Sequence, residues 1–196
     1  MHNPSRNPSI RKVYKIHGRQ LVFRNASVDD AEFILSLRTD AEKSRHLSAV
    51  SGLLQDQIDW LDRYASATDQ AYFIIETPDG TRQGTVRLYD ARGDSFCWGS
   101  WILRNGAPSG SAVESTLMVY HYALEVLGFS AAHFDVRRAN EGVWSFHERF
   151  GAVRVRTTEL DYDYTLSNEA IRASLQRYAR FLPDPIRVEQ LPVEVA

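Results

Sequence analysis

The chain has 196 residues, 43% of them hydrophobic, 24% charged and 11% aromatic. That is length enough for one domain with a genuine core, and too apolar a composition for a disordered chain. A single cysteine excludes an internal disulfide framework and a Cys-rich zinc site, and fits a reducing, cytoplasmic setting.

No apolar run nears the roughly 20 residues of a membrane span. The opening Met1-His2-Asn3-Pro4-Ser5-Arg6 also lacks the apolar stretch of a secretory signal. The net charge of -2 hides an asymmetry. Residues 1–24 hold six bases (Arg6, Arg11, Lys12, Lys15, Arg19, Arg24) and no acid, which leaves 17 bases against 25 acids, about -8, in the remainder. A basic arm can reach nucleic acid or anionic lipid. The plainer reading is a solvated tail running into a first strand, and an acidic body offers no broad nucleic-acid surface. Neither nucleic acid nor membrane is therefore expected as a partner.

In chain order, residues 1–18 read as a basic tail, 19–182 as one domain and 183–196 as a tail with Pro183, Pro185 and Pro192. Residues 20–25 form a short strand. Ser27-Val28-Asp29-Asp30 then has the cap-and-acid spacing that opens a helix, carried on by Ala31, Ile34, Leu35 and Arg38. A second helix shows Leu54, Ile58, Leu61 and Tyr64 on one stripe. The period then changes. Strands at 71–76, 83–90 and 96–103, joined by the turns Thr77-Pro78-Asp79-Gly80 and Ala91-Arg92-Gly93-Asp94, form an antiparallel meander. In the second of these, Val86 and Leu88 share one face while Thr85, Arg87 and Tyr89 share the other.

Beyond the meander, a helix is expected over 112–127 with Gly128 at its stop, a strand over 131–136 and a helix over 140–150 ending at Gly151. Strands at 153–158 and 160–166 and a helix at 168–181 close the series. The order calls for an α/β (α+β) fold, a mixed, mainly antiparallel central sheet with helices on both faces.

Arg104-Asn105-Gly106-Ala107-Pro108-Ser109-Gly110-Ser111-Ala112 joins a strand to the longest helix. Small residues let backbone approach a ligand, and free N–H groups at a helix start favour an anion. No Lys-Ser/Thr pair follows the glycine and the dinucleotide spacing fails, so taken alone the loop is equally a turn and helix cap.

Strand, small-residue loop, helix, strand and Asn140-led helix together resemble the GNAT superfamily of acetyl-CoA-dependent N-acetyltransferases. That family's loop has the form Gln/Arg-x-x-Gly-x-Gly/Ala; Gly110-Ser111-Ala112 matches its second half, with Ala107 in place of Gln or Arg. The family pattern Asn-x-x-Ala-x-x-Leu-Tyr-x-Lys-x-Gly-Phe is followed from Asn140 to Ala152, with Val143, Phe146, His147 for the tyrosine, Arg149 for the lysine, and Gly151. The likeness covers roughly residues 20 to 166. Arg38-Thr39-Asp40 and Gln57-Ile58-Asp59-Trp60-Leu61 are similar to the branch with ribosomal-protein and amino-sugar acetyltransferases.

The resemblance implies acetyl transfer from acetyl-CoA to a primary amine by direct attack, without metal. Cys97 then need not be a nucleophile and reads as a buried strand cysteine. In the ribosomal-protein branch a glutamate five residues before the helix asparagine is the base, and Asp135 holds that place; a structural carboxylate bonded to Arg137 or to backbone is the alternative. His133 and Asp135 share one strand face, Phe134 and Val136 the other. His147 is the candidate acid, as imidazolium or through water, or else a partner of the pantetheine arm. Tyr120 and His121 are alternates. Family geometry sets the backbone of Trp101, Ile102 and Leu103 against pantetheine, Ser109, Gly110, Ser111 and Ala112 on pyrophosphate with Arg104 nearby, and Asn140 on the arm.

The acceptor is expected between the first two helices and the closing strands, near Trp98, Trp101, Tyr162 and Tyr164. An amino sugar or sugar nucleotide is favoured, a protein N-terminus or polyamine stays open, and a homodimer is possible. The missing tyrosine and loop Gln/Arg also fit a non-catalytic CoA-binding module.

Overall fold

The computed structural model describes residues 7–41, 44–46 and 50–192. In chain order the elements are β1 (Lys15–His17), β2 (Val22–Asn25), α1 (Ala31–Thr39), α2 (Leu54–Ser66), β3 (Ala71–Glu76), β4 (Arg82–Arg92), β5 (Ser95–Leu103), α3 (Ser111–His121), β6 (Ala131–Arg137), α4 (Glu141–Arg149), β7 (Val153–Thr157), β8 (Asp161–Leu166), α5 (Asn168–Arg177) and β9 (Arg187–Glu189). The strands form one sheet in the order β7-β8-β6-β5-β4-β3-β2-β1-β9. Neighbouring strands pair antiparallel except β5 with β6, which pair parallel.

Strand alternation divides the core in two. On β3, Tyr72 and Ile74 face α1 and α2, meeting Ala31, Ile34, Leu61 and Tyr64, while Phe73 and Ile75 join the larger core on the opposite face. That larger core surrounds α3, whose Leu117, Met118, Val119 and Tyr120 are all fully buried. Such a helix is apolar all round because it is covered on every side. From Tyr122 to Leu127 it widens into a π-helical turn, and Gly128 at φ 85° ends it. The capping box of Ser27 and Asp30 forms as the spacing predicts, and Arg24 grips the buried Asp30 through both carboxylate oxygens at 3.0 and 2.8 Å.

Both expected tails are corrected. Lys15–His17 and Arg187–Glu189 are strands that pair with each other, and Ile10 and Val13 are buried in the core. Three-residue strands carry no readable period, and their partner lies at the far end of the chain. Three bases of the arm bond backbone carbonyls of the domain at its surface. Arg11 donates to the Val126 carbonyl (2.8 Å), Lys12 to the Ala65 carbonyl (3.0 Å) and Arg19 to the Arg180 carbonyl (2.7 Å). No helix among the described residues is long and apolar enough to cross a membrane.

The turn between β1 and β2 hangs on one buried carboxylate. Glu114 Oε1 accepts the backbone N–H groups of Arg19, Gln20 and Leu21 at 2.6, 2.9 and 3.0 Å. Glu114→Ala would strand those donors in the core, and a loss of about 3 kcal/mol in urea unfolding is expected.

Candidate active site

The site begins where a ladder stops. β5 and β6 pair from Ser95–Ala131 to Cys97–His133 and no further. Beyond that point, Trp98–Leu103 stays on β4 and Phe134–Arg137 stays on β8, so two facing strand edges open like a V. A sheet edge in the middle of a fold leaves backbone donors and acceptors free for another chain-like molecule.

A bulge sharpens the opening. Thr85 pairs with Ile102 and Arg87 with Gly99, so Ser100 and Trp101 together oppose Val86 alone. Ser100 sits at φ 46°, a conformation that serine rarely adopts, and Thr85 Oγ1 pins it by donating to the Ser100 carbonyl at 2.8 Å.

A cavity of about 720 Å³ fills the V. Its walls are Trp98, Gly99, Ser100 and Trp101 of β5, Phe134 to Arg137 of β6, and Asn140, Val143 and His147 at α4; Arg38 of α1, Trp60 of α2 and Arg87 and Tyr89 of β4 close the far side. The structure thus brings together Asp135, His147, Trp101 and Asn140 of the expected set. Ile102, Leu103, Arg104 and the loop Ser109–Ala112 lie outside the cavity walls, farther along the same strand and its following turn.

Asp135 is exposed at the lip, on the face opposite Phe134 and Val136 as strand alternation requires. Arg137 does not neutralise it: that guanidinium holds Asp161 through both oxygens, at 3.1 and 3.0 Å. Surrounding protein, and then the charges of Asp161 and Asp163, raise the Asp135 pKa above the ordinary carboxylate value. Asp163 is its direct partner across β8. A raised, unpaired carboxylate at a cavity mouth is suited to taking a proton.

His147 behaves otherwise. It is 5% exposed, packed by Phe134 (4.5 Å between centroids), Trp98 (5.2 Å), Phe146 and Trp101. Burial lowers its pKa to about 4. The imidazolium acid expected from its motif position is therefore corrected: near neutral pH this ring is uncharged. Its Nδ1 and the Trp98 Nε1, the latter beside the Tyr120 hydroxyl, are buried without a well-formed hydrogen bond among the described residues, and His147 and Trp98 both line the cavity. Polar atoms in that condition fit a bound polar ligand.

The alternates fall away. Tyr120 is fully buried and burial raises its pKa; His121 has its pKa lowered by burial; neither lines the cavity. Cys97 is a buried strand residue, its thiol pushed up to about 11 by burial. Tyr162 and Tyr164 are not cavity walls; Tyr162 lies under the Arg154 guanidinium at 3.5 Å and Tyr164 donates to Glu148. Trp60, read from sequence only within the motif at 57–61 and given no role there, is a wall of the cavity.

In the loop, Gly110 takes φ 86°, and a Cβ there would fall 2.8 Å from the Phe181 ring, so glycine is needed for both reasons. Ser111 spends its N–H and its hydroxyl on the Pro108 carbonyl (3.1 and 2.6 Å). The N–H groups of Ala112 and Val113 keep no acceptor among the described residues, which leaves an anion-binding helix start. Arg104 is exposed, at 3.5 Å from the Arg82 carbonyl.

The buried imidazole has a stability consequence. Unfolded, His147 binds a proton below about pH 6.5; folded, it does so only below about 4, so stability falls as pH drops across that interval. The full effect is on the order of 3 kcal/mol. Urea midpoints of the wild type are expected to fall more steeply between pH 6.5 and 4 than those of His147→Phe.

Residues 20–153 match the family model described as an acetyltransferase (GNAT) domain. No curated protein sequence matches the chain. Among solved structures it is similar to apo FdhC, described as a nucleotide-linked sugar GNAT, at 34% identity and a TM-score of 0.79, over 87% of this chain and 99% of that one. A GCN5-related N-acetyltransferase from Brucella melitensis shares the fold at 15% identity and a TM-score of 0.72, over 93% of this chain and 92% of that one. A spermidine N-acetyltransferase from Vibrio cholerae does so at 14% and 0.67, over 78% and 96%. Splayed strands, small-residue loop and matched domain agree, and the chain belongs to the GNAT family of N-acetyltransferases.

Proposed function

We propose that the chain transfers acetyl from acetyl-CoA to the amine of a nucleotide-linked amino sugar. The observation that carries this is the single cavity in which an unpaired carboxylate, a bulged strand edge and a cationic wall meet. The likeness to a nucleotide-linked sugar GNAT supports the same acceptor class.

The residues fit acetyl-CoA on structural grounds: the opened edge of β5 offers backbone to an amide-bearing arm, the α3 start offers N–H groups to pyrophosphate, and two buried polar atoms lack a well-formed hydrogen bond among the described residues. Bound there, acetyl-CoA supplies a thioester carbonyl for attack. The chain's own residues do the rest. Asp135 accepts the proton that the acceptor's ammonium must lose. The bulge at Ser100 and Trp101 re-aims backbone into the cavity, where a carbonyl gaining negative charge needs donors. Asn140 caps α4 from the cavity wall, and its side chain is left for the pantetheine arm. His147, uncharged, excludes water and offers a neutral hydrogen-bonding atom. The acetyl group passes directly, since the cysteine is buried with a raised pKa.

Cavity charge separates the other acceptors. Arg38, Arg63 and Arg87 line it from α1, α2 and β4, with Arg137 already paired to Asp161, so that wall disfavours a second cationic group of a polyamine. A non-catalytic module would have no use for an unneutralised Asp135 at the mouth.

Release of free thiol from acetyl-CoA, measured across nucleotide-linked amino sugars, free amino sugars, polyamines and peptide N-termini, tests the proposal. Turnover is expected with the first class. Turnover confined to another class, or none beside binding of acetyl-CoA, would sink it. Asp135→Asn is expected to lower kcat/KM by roughly 10²–10⁴. The deficit should be widest at low pH, above the carboxyl's own titration, and should narrow as alkali deprotonates the amine without help.

A further inference from the structure

The cavity holds a cation with no ion-pair partner among the described residues, Asp69 acting on it only from a distance. Arg87 lies on the sheet face that α1 and α2 cover, with its guanidinium 5.1 Å from the Trp60 ring and 4.7 Å from the Tyr89 ring. Gln70 Oε1 accepts from Nε at 2.7 Å, which fixes the plane of the fork and leaves its two terminal nitrogens without a hydrogen bond among the described residues. No carboxylate lies within ion-pair distance of it among those residues, and Arg38, lining the same cavity, adds a like charge. Arginines elsewhere in the fold are differently placed: Arg24, Arg137, Arg154, Arg156 and Arg172 each hold an acid. A half-buried guanidinium costs stability unless an anion completes it, and an oriented fork matches phosphate oxygens two at a time.

Resting on the acceptor class proposed above, we infer that Arg87 is the specificity residue that takes the acceptor's diphosphate, so that the enzyme discriminates a nucleotide-linked sugar from the free sugar. Topology agrees. Arg87 pairs with Gly99, over which the Tyr89 ring lies with its hydroxyl 3.0 Å from where a Cβ would stand, and Asp135 stands on β6 beyond it. Arg87, Tyr89 and Asp135 all line the one cavity, which the splay of β5 from β6 opens, so a hexose ring would stand against the Tyr89 phenol with guanidinium and carboxylate on either side. The amine would then meet Asp135 while the diphosphate meets Arg87. The donor's own diphosphate has a separate place at the α3 start, behind β5.

The test is calorimetric titration of the full chain, without acetyl donor, with UDP, dTDP, GDP, uridine, thymidine, inorganic pyrophosphate and coenzyme A. The wild type is expected to bind at least one nucleoside diphosphate more tightly than its nucleoside. Arg87→Gln should weaken that binding roughly tenfold or more, with coenzyme A affinity unchanged. Gln70→Glu, which supplies an internal counter-ion beside the fork, should weaken it likewise, and this second variant decides the matter if Arg87→Gln melts early. Undiminished diphosphate binding in both variants overturns the role of Arg87 while leaving a nucleotide-linked acceptor standing. Loss of coenzyme A affinity in its place assigns Arg87 to the donor and overturns the inference. Failure of the wild type to bind any nucleoside diphosphate, with thiol release on a phosphate-free amine, removes both the inference and the acceptor class beneath it.

Discussion

Everything that makes this molecule a catalyst follows from the place where β5 and β6 stop being hydrogen-bonded. A parallel pair in an otherwise antiparallel sheet already requires a long crossover, here supplied by α3. Once the pair separates after Cys97 and His133, the sheet acquires two internal edges, and edges inside a fold are costly unless something occupies them. The bulge, the Ser100 conformation and the Asn140 cap all lie along those edges. The sheet is left incomplete there, with both edges lining the cavity.

Charge is distributed around that gap with a clear division. Asp135, with Asp161 and Asp163 close by, stands at one side of the cavity, and Arg38, Arg63 and Arg87 line it from α1, α2 and β4. A molecule bearing both an amine and an anionic group would be oriented before any close contact formed. Between the two poles, the ring cluster around His147 keeps a stretch of wall dry and uncharged. The substitution of histidine for the family tyrosine thus removes a phenol without introducing a positive charge.

Much of this was legible in the residues. Period two placed Asp135 opposite Phe134 and Val136, and it placed Arg87 with Tyr89 on the outer face of its strand. The meaning of that face was not legible. A polar strand face looks solvated until one knows that Trp60, many residues away, stacks on Arg87. His147 shows the same limit: its position in the motif is local information, whereas its burial comes from Trp98, Trp101 and Phe134, set by sheet geometry. The terminal strands were invisible for a related reason, since neither Lys15–His17 nor Arg187–Glu189 has a pattern apart from its partner.

The pairing of β1 with β9 carries a consequence for the order of assembly. These contacts join residues near 15 to residues near 189, almost the greatest sequence separation in the fold. Contacts so distant in sequence form late, because closing a long loop costs entropy before any bond repays it. Segments next to these strands brace the small-residue loop before α3: Gln20 donates to the Ser109 carbonyl, and Phe181 packs on Gly110. On a ribosome, then, the body of the sheet and its gap can form while that loop still waits for the brace that Phe181 supplies.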